Sequence, residues 1–278
     1  PSHPAAGCGR MSGQMEARPV GRSPSLWQSS FVKRAPLRFA VIAIVVLWSL
    51  PTLGLFVSSF RPGSDVTKTG WWEALLRPFD EATWTLQNYE AVLAGEGMAT
   101  AFINSLIVTI PATLIPITIA AFAAYAFAWI RFPGRAILFT IVVALLVVPI
   151  QMSLVPVLTL YRELGLAGTF LGVWLAHAAF GLPLAVFLLY NFISQLPGDL
   201  FETAAIDGAT HFQVFTRIVL PLSIPAIGAF AIFQFLWVWN DLLVALVFLG
   251  GSADLQVMPQ VLSNMVGTRG NAWHLLTA

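Results

Sequence analysis

Long apolar segments alternate with short polar segments along most of the chain. Runs of mainly apolar residues occupy positions 39–60, 99–130, 136–158, 170–192 and 222–249. Each run is long enough to cross a bilayer, because a membrane-spanning helix needs about 20 apolar residues. The residue-by-residue alternation that indicates a transmembrane barrel does not occur. The pattern predicts an all-α fold, a polytopic transmembrane helical bundle with five complete spans.

Composition and charge agree with a membrane protein and predict its orientation. Charged residues make up 10% of the 278 residues, against about 25% in soluble proteins. Residues 1–38 form a polar, basic tail that we expect to be disordered, and residues 39–278 form the transmembrane domain. Because Lys and Arg concentrate on the cytoplasmic side, we expect the amino terminus and the connection 131–135 inside. The acid-rich loop 61–98 is then extracytoplasmic.

The end of the chain predicts the beginning of one more helix. Residues 273–278 have the sequence Trp-His-Leu-Leu-Thr-Ala, which favours the opening turn of a sixth span. We expect this sixth span to be truncated.

The polar segment 193–221, between the last two runs, is the most amphiphilic part of the second half. Asp199 is predicted to cap a short helix, with Glu202 three residues later completing a capping-box-like pattern. Gly208 is predicted to end that helix, because glycine adopts the left-handed conformation at low cost. A second helix is expected to pass through Phe212, Phe215 and Ile218 and to end at Pro221. Between them lies a predicted face of small residues: Ala204, Ala205, Gly208 and Ala209.

This segment resembles the EAA loop of ABC importer permeases. The family pattern is E-A-A, three residues, G, nine residues and I-x-L-P. It is matched by Glu202, Ala204, Gly208, Ile218, Leu220 and Pro221, with Thr203 in place of the first alanine. The resemblance implies that the loop docks into a cytoplasmic ATPase subunit, whereas the plain alternative is an ordinary connecting loop. The implied coupling residues are Glu202, Thr203, Ala204, Asp207, Gly208, Ala209, Arg217 and Pro221.

Other segments resemble the carbohydrate branch of the same family. They are Asn104-Ser105-Leu106, Ala124-Tyr125-Ala126-Phe127 followed by residues 131–135, and Trp239-Asn240-Asp241. Residues 51–62 with Gly70-Trp71-Trp72 are most similar to α-glucoside permeases of the smaller maltose-permease type. The resemblance implies a multi-pass protein of the bacterial inner membrane. Its implied partners are a second permease subunit, two copies of an ABC ATPase subunit, an extracytoplasmic sugar-binding protein, the sugar and membrane lipid.

Catalytic patterns do not occur in the sequence. There is no nucleotide-binding G-x-x-x-x-G-K-[ST] pattern, and the four histidines show no metal-ligand spacing. We therefore expect a transport protein that is not an enzyme, with no cofactor, metal or nucleic-acid partner. Asp241 is costly inside a membrane segment, so it either lines a solute path or fixes helix packing. The candidate path residues are Asp241, Asn240, Gln234, Gln151 and His177.

Two other transport classes remain as alternatives. An ABC importer permease for a non-sugar solute, such as a polyamine, phosphate or peptide, would have the same loop. A secondary transporter would need several ionisable residues inside the bundle and usually an internal repeat, and the sequence offers neither.

Overall fold

The computed structural model describes residues 35–80, 83–95, 97–268 and 273–278. These residues form helices and connections without a β-strand, so the predicted all-α fold is confirmed. The α-helices are α1 (Ala35–Ser59), α2 (Gly63–Val66), α3 (Trp72–Leu76), α4 (Gln87–Glu90), α5 (Met98–Trp129), α6 (Arg135–Ala144), α7 (Ile150–Glu163), α8 (Phe170–Ile193), α9 (Gly198–Ile206), α10 (His211–Val214), α11 (Leu220–Leu222), α12 (Ile224–Trp239), α13 (Leu243–Phe248), α14 (Met258–Thr268) and α15 (Trp273–Leu276).

Contacts divide the chain after Leu53 into two units. The described part of the first unit is the amino-terminal portion of α1, whose start at Ala35 shows that residues 35–38 belong to the helix rather than to a disordered tail. The rest of that predicted tail lies outside the described residues. The second unit contains all the other elements.

Three of the five predicted spans are single long helices. They are α1, α5 and α8, each apolar and long enough to cross a membrane. The broken third and fifth spans raise the number of possible crossings in the described residues to as many as five. The third span extends beyond its predicted end at residue 158, because α7 continues through Glu163.

The third predicted span, 136–158, is not one straight helix. Helix α6 tightens into a 3₁₀ turn at Leu145–Val147 and ends before Pro149, and α7 leaves at an angle of 103°. Proline has no N–H to donate and restricts the residue before it, so Val148 is extended at ψ 118°. Pro149 has no N–H to donate to the Leu145 carbonyl, which accepts the Val148 N–H at 3.2 Å instead. The helix therefore terminates.

The fifth predicted span, 222–249, is also broken. Helix α12 bends by 70° from the helical segment His211–Leu222 and ends at Trp239. A new helix, α13, begins at Leu243, where the Asp241 carboxylate accepts the Val244 N–H at 2.8 Å. A side-chain cap thus replaces the backbone bonds that a continuous helix would have made.

The segments that the sequence left as loops are themselves folded. In residues 60–95, Asn88 Nδ2 donates to the carbonyls of Ser59 at 2.9 Å and Arg61 at 2.8 Å. After α13, Asn104 Nδ2 donates to the carbonyls of Asp254 and Gln256 at 2.8 and 3.0 Å. Amide side chains of this kind tie irregular backbone to the helices, because each buried carbonyl needs a donor.

The centre of the bundle is the pair α5 and α8, crossed by α12. Their contact surfaces carry small residues, including Ala112, Ala120, Ala124 and Ala185, all 0% exposed. Small side chains allow membrane helices to approach closely.

Two prolines inside α5 create the bonds that join this central group. Pro111 and Pro116 cannot donate to the carbonyls four residues earlier, those of Ile107 and Ala112. Trp174 Nε1 of α8 donates to the Ile107 carbonyl at 2.9 Å, and Gln234 Nε2 of α12 donates to the Ala112 carbonyl at 3.3 Å. Each freed acceptor is therefore satisfied by a side chain from a different helix.

We expect the Trp174 bond to matter only while Pro111 is present. Trp174→Phe should lower the free energy of unfolding in detergent by about 1 kcal/mol. In a Pro111→Ala background the alanine N–H satisfies the Ile107 carbonyl, so the same substitution should cost close to nothing. An equal cost in both backgrounds would contradict this account of the helix junction.

Candidate functional site in the 198–222 hairpin

Residues 198–222 form two helical arms joined by a turn, and we call this segment the 198–222 hairpin. Its first arm is helix α9. It begins at Gly198 after Pro197, and no side chain caps it. The predicted N-cap at Asp199 with its capping box was therefore wrong, because the helical conformation already begins one residue earlier. Asp199 lies in the first turn, where a carboxylate still interacts favourably with the helix dipole.

The end of α9 has the geometry predicted for Gly208. Gly208 has φ +72°, in the left-handed region. The Ala209 N–H donates to the Ala204 carbonyl at 2.9 Å, and the Gly208 N–H donates to the Ala205 carbonyl at 3.1 Å. These two bonds form a Schellman motif, which reverses the chain after the helix. The predicted glycine turn is confirmed.

The second arm begins with a cap that the sequence analysis missed. Thr210 Oγ1 accepts the Gln213 N–H at 3.3 Å, while Gln213 Oε1 accepts the Thr210 N–H at 2.8 Å. The signal was present in the T-x-x-Q spacing, which is a capping box. Helix α10 then widens into a π-helical turn, Phe215–Val219, before α11.

Aromatic contacts fix the hairpin to the carboxyl-terminal half of α5. Phe201 stacks on Trp129, with 3.6 Å between ring centroids, and Phe215 stacks on Phe122 at 4.4 Å. The Tyr125 hydroxyl is hydrogen-bonded to His211 Nδ1 at 3.0 Å. Both arms of the hairpin are therefore anchored to α5 by direct contacts.

The predicted face of small residues is only partly presented outward. Ala204 is 7% exposed and packs with Val214, Phe215 and Val219 in the core beneath the hairpin. The predicted face was wrong for Ala204, because the turn at Gly208 directs this side of α9 towards the second arm. Ala205 and Gly208 are exposed.

An open groove of about 540 Å³ lies between the two arms. Six of the predicted coupling residues line it together with Leu200, Gln213, Val214 and Ile218: Thr203, Ala204, Asp207, Gly208, Ala209 and Arg217. Glu202 and Pro221 are exposed on the same hairpin but do not line the groove. The groove thus combines an acid, a base and an apolar floor.

Large apolar side chains beside the groove face away from the protein. Ile206 is 86% exposed and Phe212 is 66% exposed. Together with the groove, they form a surface with the shape and chemistry to receive an element of another protein.

The predicted path residues do not form one surface. His177 and Gln234 are 1% and 0% exposed between α8, α12 and α5. Asp241 lies beside His177, with 3.8 Å between Asp241 Oδ2 and His177 Nε2. Gln151 and Asn240 are exposed, on α7 and after α12 respectively. A role for these residues in contacting solute stays a prediction.

Comparisons with known proteins agree with these features. The family model "Binding-protein-dependent transport system inner membrane component" matches residues 116–270, which include the whole hairpin. The chain is 57% identical to the osmoprotective compounds uptake permease protein GgtD of Synechocystis, over 90% of this chain and 84% of that protein. It is 39% identical to the alpha-glucoside transport system permease protein AglG of Rhizobium meliloti, over 94% and 91% of the two chains.

The fold is similar to that of a solved membrane transporter chain. A chain in the crystal structure of a bacterial ABC transporter involved in the import of alginate superposes with a TM-score of 0.66. The alignment covers 92% of this chain and 91% of that chain at 19% identity, so it supports the fold alone.

The cap at Thr210 can be tested separately from function. Thr210→Ala should raise amide hydrogen exchange in residues 211–214 roughly fivefold, because loss of an N-cap costs about 1 kcal/mol. Thr216→Ala is the matched control, since its hydroxyl donates to the Phe212 carbonyl and takes no part in the cap. Equal exchange in the two variants would contradict the assignment.

Proposed function

The chain belongs to the family of binding-protein-dependent transport system inner membrane components, and from this membership we infer that it is the permease subunit of an ATP-driven carbohydrate importer. The family transports solutes across the membrane and does not catalyse a covalent reaction. The observation that carries the inference is that a relative covering nearly all of this chain is an α-glucoside permease. The chain spans the inner membrane several times and works with a binding protein.

We propose that the 198–222 hairpin couples the permease to a cytoplasmic ATPase subunit. Its groove holds Asp207 and Arg217 above an apolar floor, and Ile206 protrudes beside it. Glu202, in the middle of α9, is exposed and available to a basic side chain of the ATPase. Because the aromatic contacts anchor the hairpin to α5, movement of the bound ATPase would be transmitted into α5 and α8.

In the proposed assembly, this chain pairs with a second permease subunit, and the pair binds two ATPase subunits. The amino terminus and the hairpin are then cytoplasmic, and residues 61–98 face the binding protein. ATP binding would favour one of two packed arrangements of the bundle over the other, which is the physical basis of alternating access.

We propose an α-glucoside or another small glucose-containing oligosaccharide as the solute. The α-glucoside permease supports this class. The osmoprotectant permease, at 57% identity, favours an osmoprotective compound as the second candidate. Competition for uptake of the transported solute by the assembled importer separates the two: maltose, which is an α-glucoside and not an osmoprotectant, should inhibit this uptake if the solute is an α-glucoside. Inhibition by glycine betaine alone would contradict the carbohydrate proposal.

Gly208 provides the sharpest test of the hairpin. Gly208→Val should abolish solute uptake and co-purification of the ATPase subunit. A β-carbon at Gly208 meets no atom within 4 Å in the isolated chain, so the substitution has space within the chain and should act on a docked partner. The positive φ adds about 1 kcal/mol of local strain.

The control for this strain is Gly165→Val, since Gly165 has φ +70° and equally open space but lies in the connection between α7 and α8. It should retain ATPase co-purification. Normal uptake by Gly208→Val at wild-type abundance would contradict the coupling role.

The orientation is tested with two single cysteines in a Cys8→Ser background. An impermeant thiol reagent applied to intact cells should label Ser64→Cys, in α2 on the proposed outer side. It should not label Ser194→Cys, which is exposed at the start of the hairpin connection. Labelling of position 194 alone would reverse the topology.

A further inference from the structure

Three residues of the fifth span contact one turn of α8 around His177. Gln234 Nε2 donates to the His177 carbonyl at 3.5 Å, and the Trp237 ring meets the imidazole edge-on with 5.4 Å between centroids. Asp241 Oδ2 lies 3.8 Å from His177 Nε2. Gln234 and Trp237 lie three residues apart on one face of α12, and Asp241 follows just after this helix ends at Trp239. The contacts therefore converge on His177 and form a seam between α8 and the carboxyl-terminal half of α12 with the residues just after it.

Close approach of the two helices along this seam depends on Gly181. A β-carbon at Gly181 would lie 2.6 Å from both Nε2 and Oε1 of Gln234. Any larger residue would therefore push Gln234 away from α8 and from the Ala112 carbonyl of α5. The seam is a tight contact that leaves little room for rearrangement.

Asp241 serves two contacts with one carboxylate. It accepts the Val244 N–H and so fixes the start of α13, while it also faces His177. Its side chain is 14% exposed and that of His177 is 1% exposed, so little of this pair is available to solvent or solute. Because a carboxylate within a membrane segment is costly, this placement needs a compensating structural role.

The position of the seam suggests that role. Helix α8 ends at Ile193, just before the 198–222 hairpin, and α12 begins at Ile224, just after it. The seam joins these two helices in their halves remote from the hairpin. If the two helices separated at the seam, displacement of the hairpin would change only the angle between them. The displacement would then not reach their remote ends.

We propose that His177 and Asp241 are positioning residues that hold α8 and α12 together as one rigid body during the transport cycle. The inference rests on the proposed coupling role of the hairpin. The joint transmits displacement of the hairpin to the remote ends of both spans, and neither residue binds solute.

Spin-label distances in the assembled importer test the joint directly. Leu175→Cys on α8 and Leu236→Cys on α12, both exposed, would be labelled in a Cys8→Ser background. The distance distribution should be the same without nucleotide and after trapping with ATP and vanadate. A change between the two states would overturn the proposal. Co-purification of the ATPase subunit in the same sample shows separately that the assembly behind the proposed function is intact.

Transport by Asp241 variants in proteoliposomes distinguishes positioning from solute binding. Asp241→Leu should lower the solute transported per ATP hydrolysed roughly tenfold, with an unchanged apparent KM for the loaded binding protein. Asp241→Asn should retain wild-type coupling, because an amide oxygen still accepts the Val244 N–H. Asp254→Asn, an exposed acid after α13, is the matched control. A changed preference between two competing solutes, with unchanged solute per ATP, would show instead that Asp241 contacts solute.

Discussion

The bundle depends on how two backbone carbonyls of α5 find donors in the absence of water. Pro111 and Pro116 remove the helical donors for Ile107 and Ala112, and hydrocarbon offers no replacement. Trp174 from α8 and Gln234 from α12 supply them. Because each missing intrahelical bond becomes an interhelical one, the prolines define which helices lie next to α5 and at what height along it.

These interhelical bonds connect the helices that support the 198–222 hairpin. Helices α8 and α12, which donate to α5, are the two helices that continue into the hairpin. The hairpin's own aromatic side chains, Phe201 and Phe215, stack against the far end of the same α5. A force applied at the groove would therefore act on three connected helices, which is what the proposed coupling role needs.

Much of this fold is predictable from local sequence, and the main exceptions concern proline. The length of the apolar runs predicted α1, α5 and α8. The left-handed conformation that glycine adopts at low cost predicted the turn at Gly208. Proline was ambiguous, because Pro111 and Pro116 stay inside a helix whereas Pro149 ends one. At Pro111 and Pro116 a side chain from another helix reaches the freed carbonyl, and that contact cannot be seen in the neighbouring residues. The Asp199 cap failed for a simpler reason, since helix α9 begins one residue earlier, at Gly198.

The coupling role depends on the proposed contact between the groove side of the hairpin and the ATPase subunit. Its most direct test is site-specific photo-cross-linking from Ile206, which is 86% exposed beside the groove. A benzophenone side chain at this position in the assembled importer should yield a covalent product containing the ATPase subunit. The same group at Val147, 82% exposed between α6 and α7, should not. An importer that hydrolyses ATP but gives no ATPase product from position 206 would contradict the account.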